Sequence, residues 1–180
     1  MFLINYGILD EEKNKILKLK NIKEFDSDIS DIMGQIELIF NNSKEGFVDK
    51  DIPYSGEFLI AWFNRLNSVV IQLKIDTFTA MELPDSDNVW LEFKVDNEKV
   101  LVSETRAEKT NIDKFVVNLP KQRKELFWCE SISKYELVDT IIDTADSFIK
   151  DILSINELFS ESKEFKRLED KYIKAKTGFK

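Results

Sequence analysis

The spacing of apolar residues changes once along this chain, and that change constrains the fold more than any other feature. From Gly56 to about Leu73 the apolar side chains recur at helical intervals: Phe58, Trp62, Leu66, Val69 and Leu73 form one stripe, which Leu59, Phe63 and Val70 widen. Such a broad arc predicts a helix buried over much of its circumference, with its aromatics read first as core and only second as the wall of a ligand pocket. From Thr77 the period shortens to two, the spacing of strands whose successive side chains face opposite sides of a sheet.

Several strands follow in quick order. Thr77 to Leu83 ends at Pro84, whose missing N–H and fixed φ interrupt a ladder, and Asp85 to Asn88 make a polar loop. Val89–Val95 and Val100–Arg106 flank Asp96-Asn97-Glu98-Lys99, the strongest hairpin signal in the chain. Phe115–Leu119, ended by Pro120, and Glu125–Glu130 add two more. Earlier, Gln35–Phe40 alternates as a strand, with Asn41, Asn42, Ser43 and Gly46 supplying turn chemistry. Ile8 to Ile22 fits helix and strand equally and stays undecided within an N-terminal segment, 1–34, of uncertain structure.

Caps mark the helices. Ser55 is placed to cap the first, with Glu57 in its first turn. Ser133 with Glu136 forms an S-x-x-E capping box, in which two orphan amides are satisfied reciprocally, and Val138, Ile141, Ile142, Ala145, Phe148, Ile149 and Ile152 mark the buried face of a helix reaching about Asn156. A third amphipathic helix spans 158–180, its basic end preceding Gly178. The whole predicts one domain of 180 residues in the α+β class, an antiparallel sheet of about five strands with helices packed on one face. At 43% hydrophobic and 12% aromatic, the chain has enough apolar surface to build that core.

Composition then excludes most chemistry. There is no histidine, the usual general base and metal ligand near neutral pH, and one cysteine. The five glycines are spread singly, so no phosphate-cradling loop is expected, and no D-x-D-x-D-G calcium loop is present. S-x-x-K occurs at Ser131–Lys134 and Ser160–Lys163, a chance match in a lysine-rich chain without a companion motif. Carboxylate-pair chemistry needs no histidine, but 34 acids nominate no pair. The expectation is a protein without enzymatic activity, cofactor or metal. Cys129 has no partner for an intramolecular disulfide, Met1–Asn5 lacks a signal-peptide pattern, and no run approaches a membrane span. A cytoplasmic location is expected, and the abundance of Lys, Ile and Asn matches an AT-rich bacterial genome.

The net charge of −8 argues against a nucleic-acid partner and favours a basic protein. It is unevenly spread: 24–57 holds nine acids to two bases, 134–157 six to two, whereas 158–180 has seven bases to four acids. Glu136, Asp139, Asp143 and Asp146 recur at three or four residues and share one side of their helix, either as a solvated ridge or as a face for a basic partner, with a metal site the weakest reading. If Val89, Leu91, Phe93 and Val95 face the helices, Trp90 and Glu92 lie on the opposite sheet face with Lys94. There Trp90 is a candidate interface anchor, or else it packs against a neighbouring strand or the 108–114 loop.

The run Glu57-Phe58-Leu59-Ile60-Ala61-Trp62-Phe63 opening a helix, the meander around Val89-Trp90-Leu91-Glu92-Phe93, and the closing helix at Ser133-Lys134-Tyr135-Glu136-Leu137 resemble small bacterial immunity proteins of polymorphic and contact-dependent toxin systems. The likeness covers roughly 35–153 and rests on element order. It implies a cytoplasmic protein that binds and blocks one toxin domain, often a basic nuclease. The alternatives are a subunit that self-associates through the outer sheet face, giving a homo-oligomer, and a carrier of a lipid or small ligand between the Trp62 helix and the sheet.

Overall fold

Strand β1, Phe2–Ile8, begins the chain and pairs antiparallel with β2, Met33–Phe40, in a register that sets Phe2 opposite Phe40 and Ile8 opposite Gly34. A computed structural model describes residues 1–27, 30–52, 56–84, 86, 88–108, 114–118 and 121–177, without the side chains of 121–125. Between β1 and β2 lie two short helices, α1 (Asp10–Lys18) and α2 (Ile22–Ser27), so the undecided stretch from Ile8 is mainly helix. Strand β3, Ser43–Phe47, turns back on β2 through Asn41-Asn42. Gly46 belongs to β3 rather than to that turn: its φ is +71°, and a Cβ there would meet the Ile36 carbonyl oxygen at 2.2 Å, so only glycine fits this close backbone approach. A two-residue strand β4, Glu57–Phe58, pairs with β2 at Met33–Gly34 and completes a first sheet of four strands.

Helix α3 runs from Leu59 to Gln72, three residues later than the spacing suggests, because Glu57 and Phe58 are extended in β4. Beyond it come β5 (Phe78–Glu82), β6 (Val89–Asp96), β7 (Lys99–Glu108), β8 (Val116–Val117) and β9 (Lys121–Ser133). They form a five-stranded antiparallel sheet ordered β8-β5-β6-β7-β9, and Asn97-Glu98 makes the expected hairpin with Asp96 opposite Lys99. The sheet expected from the sequence is present; a second sheet, built on β1 and β2, accompanies it. Helix α4, Lys134–Ile155, follows β9 directly, and a short 3-10 helix, Glu157–Glu161, breaks the expected third helix before α5, Lys163–Lys176. Ser55, Pro53, Asp85, Asp87, Pro120 and Gly178, to which capping, turn or terminating roles fall in sequence, lie outside the described residues.

The helices pack on the inner face of the five-stranded sheet, where Met81, Leu91, Phe93, Val100, Val102 and Ile132 join one buried cluster that extends from Phe2 to Ala175. Phe63 of α3 stacks on Phe148 of α4 at 4.7 Å, and Tyr6 of β1 meets both rings edge-on at 5.6 Å. Trp62 and Phe63 are therefore core. Burying rings of this size contributes about 2–3 kcal/mol each before the entropy of ordering them is counted.

Candidate functional site

Helix α4 carries the predicted acidic ridge. Ser133 caps it, its hydroxyl accepting the Glu136 amide at 3.4 Å, but the capping box is only half made. Glu136 does not return to Ser133: its carboxylate accepts the backbone N–H of Phe2 at 2.8 Å and lies 3.7 Å from the chain's N-terminal ammonium. The reason lies in the sheet. β1 is an edge strand, α4 runs beside it, and Glu136 satisfies one of its outward amides. At the other end of the ridge, Asp146 accepts Lys150 Nζ and the Tyr172 hydroxyl at 2.8 Å, and these partners hold its carboxyl below its ordinary pKa.

Between them Asp139 and Asp143 form no ion pair with a cation of the chain among the described residues. Four residues before Asp139, Tyr135 is 76% exposed and continues the same stripe. A hydrogen bond to Asp139 raises the tyrosine hydroxyl above its usual pKa. The structure thus brings Tyr135, Asp139 and Asp143 together on one rigid face, and assigns Glu136 and Asp146 to internal contacts. Tyr135 escaped the sequence reading because it stands in the first helical turn, just after the cap; its i, i+4, i+8 spacing with the two aspartates is the signal that finds it.

Trp90 is a correction. It does point away from the helices, as the period of two requires, yet it is only 1% exposed: its ring packs with Ala80 and Ala107, flanked by Phe78 and Val117, and its indole N–H donates to the Ala107 carbonyl at 2.9 Å. Glu92 is buried beside it on the same face. A tryptophan with a satisfied N–H inside a covered face anchors a small second core, so Trp90 and Glu92 leave the list of surface contacts. Most of the 108–114 loop lies outside the described residues.

In the other acidic zone, 24–57, four of the nine acids serve the fold. Asp31 reaches the start of α3, its two carboxylate oxygens accepting the amides of Ile60 at 2.7 Å and Ala61 at 3.0 Å; burial, opposed by these bonds, pushes its pKa up to about 6. Asp26 takes the Ser162 hydroxyl and the Lys163 amide at the start of α5. Glu57 accepts the Trp62 indole. Glu45 of β3 and Glu104 of β7 share the Trp128 indole N–H at 3.3 and 2.6 Å where the two sheets meet, and burial followed by the neighbouring Glu104 carboxyl pushes Glu45 up to about 8.

A cleft of about 700 Å³ opens between α3, α5 and the 114–118 strand segment. Arg65, Lys114, Arg167 and Lys171 line it against Asp31 and Glu164, a local excess of positive charge on an acidic protein. Its α5 members were foreshadowed by the basic balance of 158–180, but Arg65 and Lys114 are brought to it only by the fold.

Among the described residues no group of three or more Asp, Glu, Cys or His side chains is arranged to hold a metal, and no helix is long and apolar enough to cross a membrane. Comparison of the chain with models of protein families, with curated proteins and with solved structures gives no match.

Proposed function

We propose that this chain is a non-catalytic binding protein of the immunity type, which recognises one basic protein partner, a toxin domain, in the bacterial cytoplasm. The observation that carries this reading is the α4 stripe: an aromatic side chain 76% exposed on a 22-residue helix, in line with two carboxylates that have no ion pair of their own among the described residues. A tyrosine supplies contact area at low entropic cost, and carboxylates without an ion pair steer a basic surface and accept its charged hydrogen bonds. The stripe replaces Trp90 as the anchor. The element order that resembles immunity proteins points the same way, as does a chain with no histidine to support common catalysis.

The reading requires tight, stoichiometric, salt-sensitive binding. The tagged protein used as bait in lysate of its own cells should retain a single basic protein, more strongly at low than at moderate salt, and co-expression should protect cells from that protein's toxicity. Failure to retain any protein at either salt would count against the proposal.

A second reading has its own observation. Leu126 and Phe127 are 64% and 48% exposed on β9, an edge strand of the five-stranded sheet, where unpaired backbone groups suit a second strand. This favours self-association through that edge rather than through the sheet's outer face, which Trp90 and its neighbours fill. A mass by light scattering that rises with concentration, and falls to the monomer in Phe127→Lys, would support it.

A further inference from the structure

We infer that the cleft between α3, α5 and β8 binds a small, multiply charged phosphate-bearing anion. None of Tyr135, Asp139 and Asp143 lines it, so this inference stands apart from the partner-binding reading.

On a chain of net charge −8, four of the lining residues are cations and two are acids, and both acids are already engaged. Asp31 accepts the α3 amides, and Glu164 lies 3.6 Å from Arg167. Lys171 is half-buried; its ammonium makes one long hydrogen bond, 3.4 Å to the Asn64 carbonyl, and ion-pairs with no carboxylate among the described residues. Burial, then Arg167 and Arg65 alongside, lower its pKa. Holding an ammonium half out of water among like charges destabilises the empty cleft, and a bound anion removes that cost.

A further feature points to a ligand. Arg65 is held in place, donating to the Glu82 carbonyl at 2.7 Å with its guanidinium 4.0 Å over the Phe115 ring, and such a braced fork suits a phosphate. A single carboxylate would leave half of the net excess of two charges standing, whereas a phosphate carries nearly two charges and a diphosphate more. The volume lies in the range of small-molecule sites, and the cations are gathered in a cleft rather than spread along a face as duplex binding requires.

Thermal melting with inorganic pyrophosphate as probe tests this, against sodium acetate at matched ionic strength. The wild-type Tm should rise saturably, by about 5–10 °C at a hundredfold excess over Kd. Arg167→Gln and Lys171→Met should weaken the apparent Kd at least about tenfold, the loss of one charge-assisted contact, while Lys18→Gln, on α1 and outside the cleft lining, leaves it unchanged. Lys171→Met should also melt above wild type without pyrophosphate, because the like-charge strain is gone. No saturable shift in wild type, an equal shift with acetate, or an undiminished shift in both cleft variants would overturn the inference.

Discussion

Asp31 is a cap placed far from its helix. Leu59 begins α3 with no side-chain cap from Phe58, and a carboxylate 29 residues from Ile60 accepts the first free amides instead. Asp31→Ala should therefore lose about 1–2 kcal/mol, as removal of a good N-cap does, and Asp31→Asn an intermediate amount, since its one side-chain oxygen can still accept the Ile60 amide while its NH2 group cannot accept from Ala61; denaturant midpoints read both. Glu45 makes the opposite kind of prediction. Its folded pKa, raised to about 8 from an ordinary 4.5, means the fold prefers the protonated carboxyl, so the stability it contributes is full below pH 4.5 and is lost as pH rises through 8. Glu45→Gln, which cannot ionise, should gain on wild type steadily between pH 5 and pH 8.5 in urea midpoints; a difference that stays flat across that range would contradict the shared-indole geometry. Trp90→Ala should cost about 3–5 kcal/mol as a core truncation, and a stably folded Trp90→Ala that merely lost a partner would restore the surface reading.

At the scale of elements, the recurring device is a polar side chain that completes another element's backbone. Glu136 closes the β1 edge, Asp26 the start of α5, and Asn156 donates to the Ile16 and Leu19 carbonyls at the end of α1 at 2.8 and 2.9 Å. Glu136→Ala should loosen β1 in particular, seen as faster amide exchange at Phe2 with little change at Leu91. These long-range uses explain what was legible in the sequence and what was not. The α3 and α4 stripes and the β6–β7 hairpin are local patterns, and, Phe58 of β4 apart, they stand where periodicity and turn chemistry put them. The first sheet was missed because Phe2-Leu3-Ile4 breaks alternation and its partner, Gln35–Phe40, lies some thirty residues away. The capping box was half right for the same reason: sequence shows the local acceptor for Glu136, not the competing amide of Phe2. Trp90 was put on the correct face, but nothing local reveals that the face is covered.

For the molecule as a whole, charge patterning gains meaning only once internal contacts are subtracted. Four of the nine 24–57 acids, Asp26, Asp31, Glu45 and Glu57, are committed to helix starts and indoles, the α4 ridge keeps Asp139 and Asp143 beside Tyr135, and Arg167 and Lys171 of α5 converge with Arg65 on a cleft. One acidic chain thus carries an acidic stripe suited to a protein and a basic cleft suited to a small anion. Parallel pull-downs from lysate with wild type and with a Tyr135→Ala/Asp139→Lys/Asp143→Lys variant, matched for melting temperature, test whether the α4 stripe is the partner-binding face. All three side chains lie on the polar side of the helix, so the variant should fold. The wild-type bait should retain one stoichiometric basic partner and the variant about thirtyfold less of it or lower still, the scale of a disrupted hot spot. An equal yield of that partner on both baits would contradict that assignment.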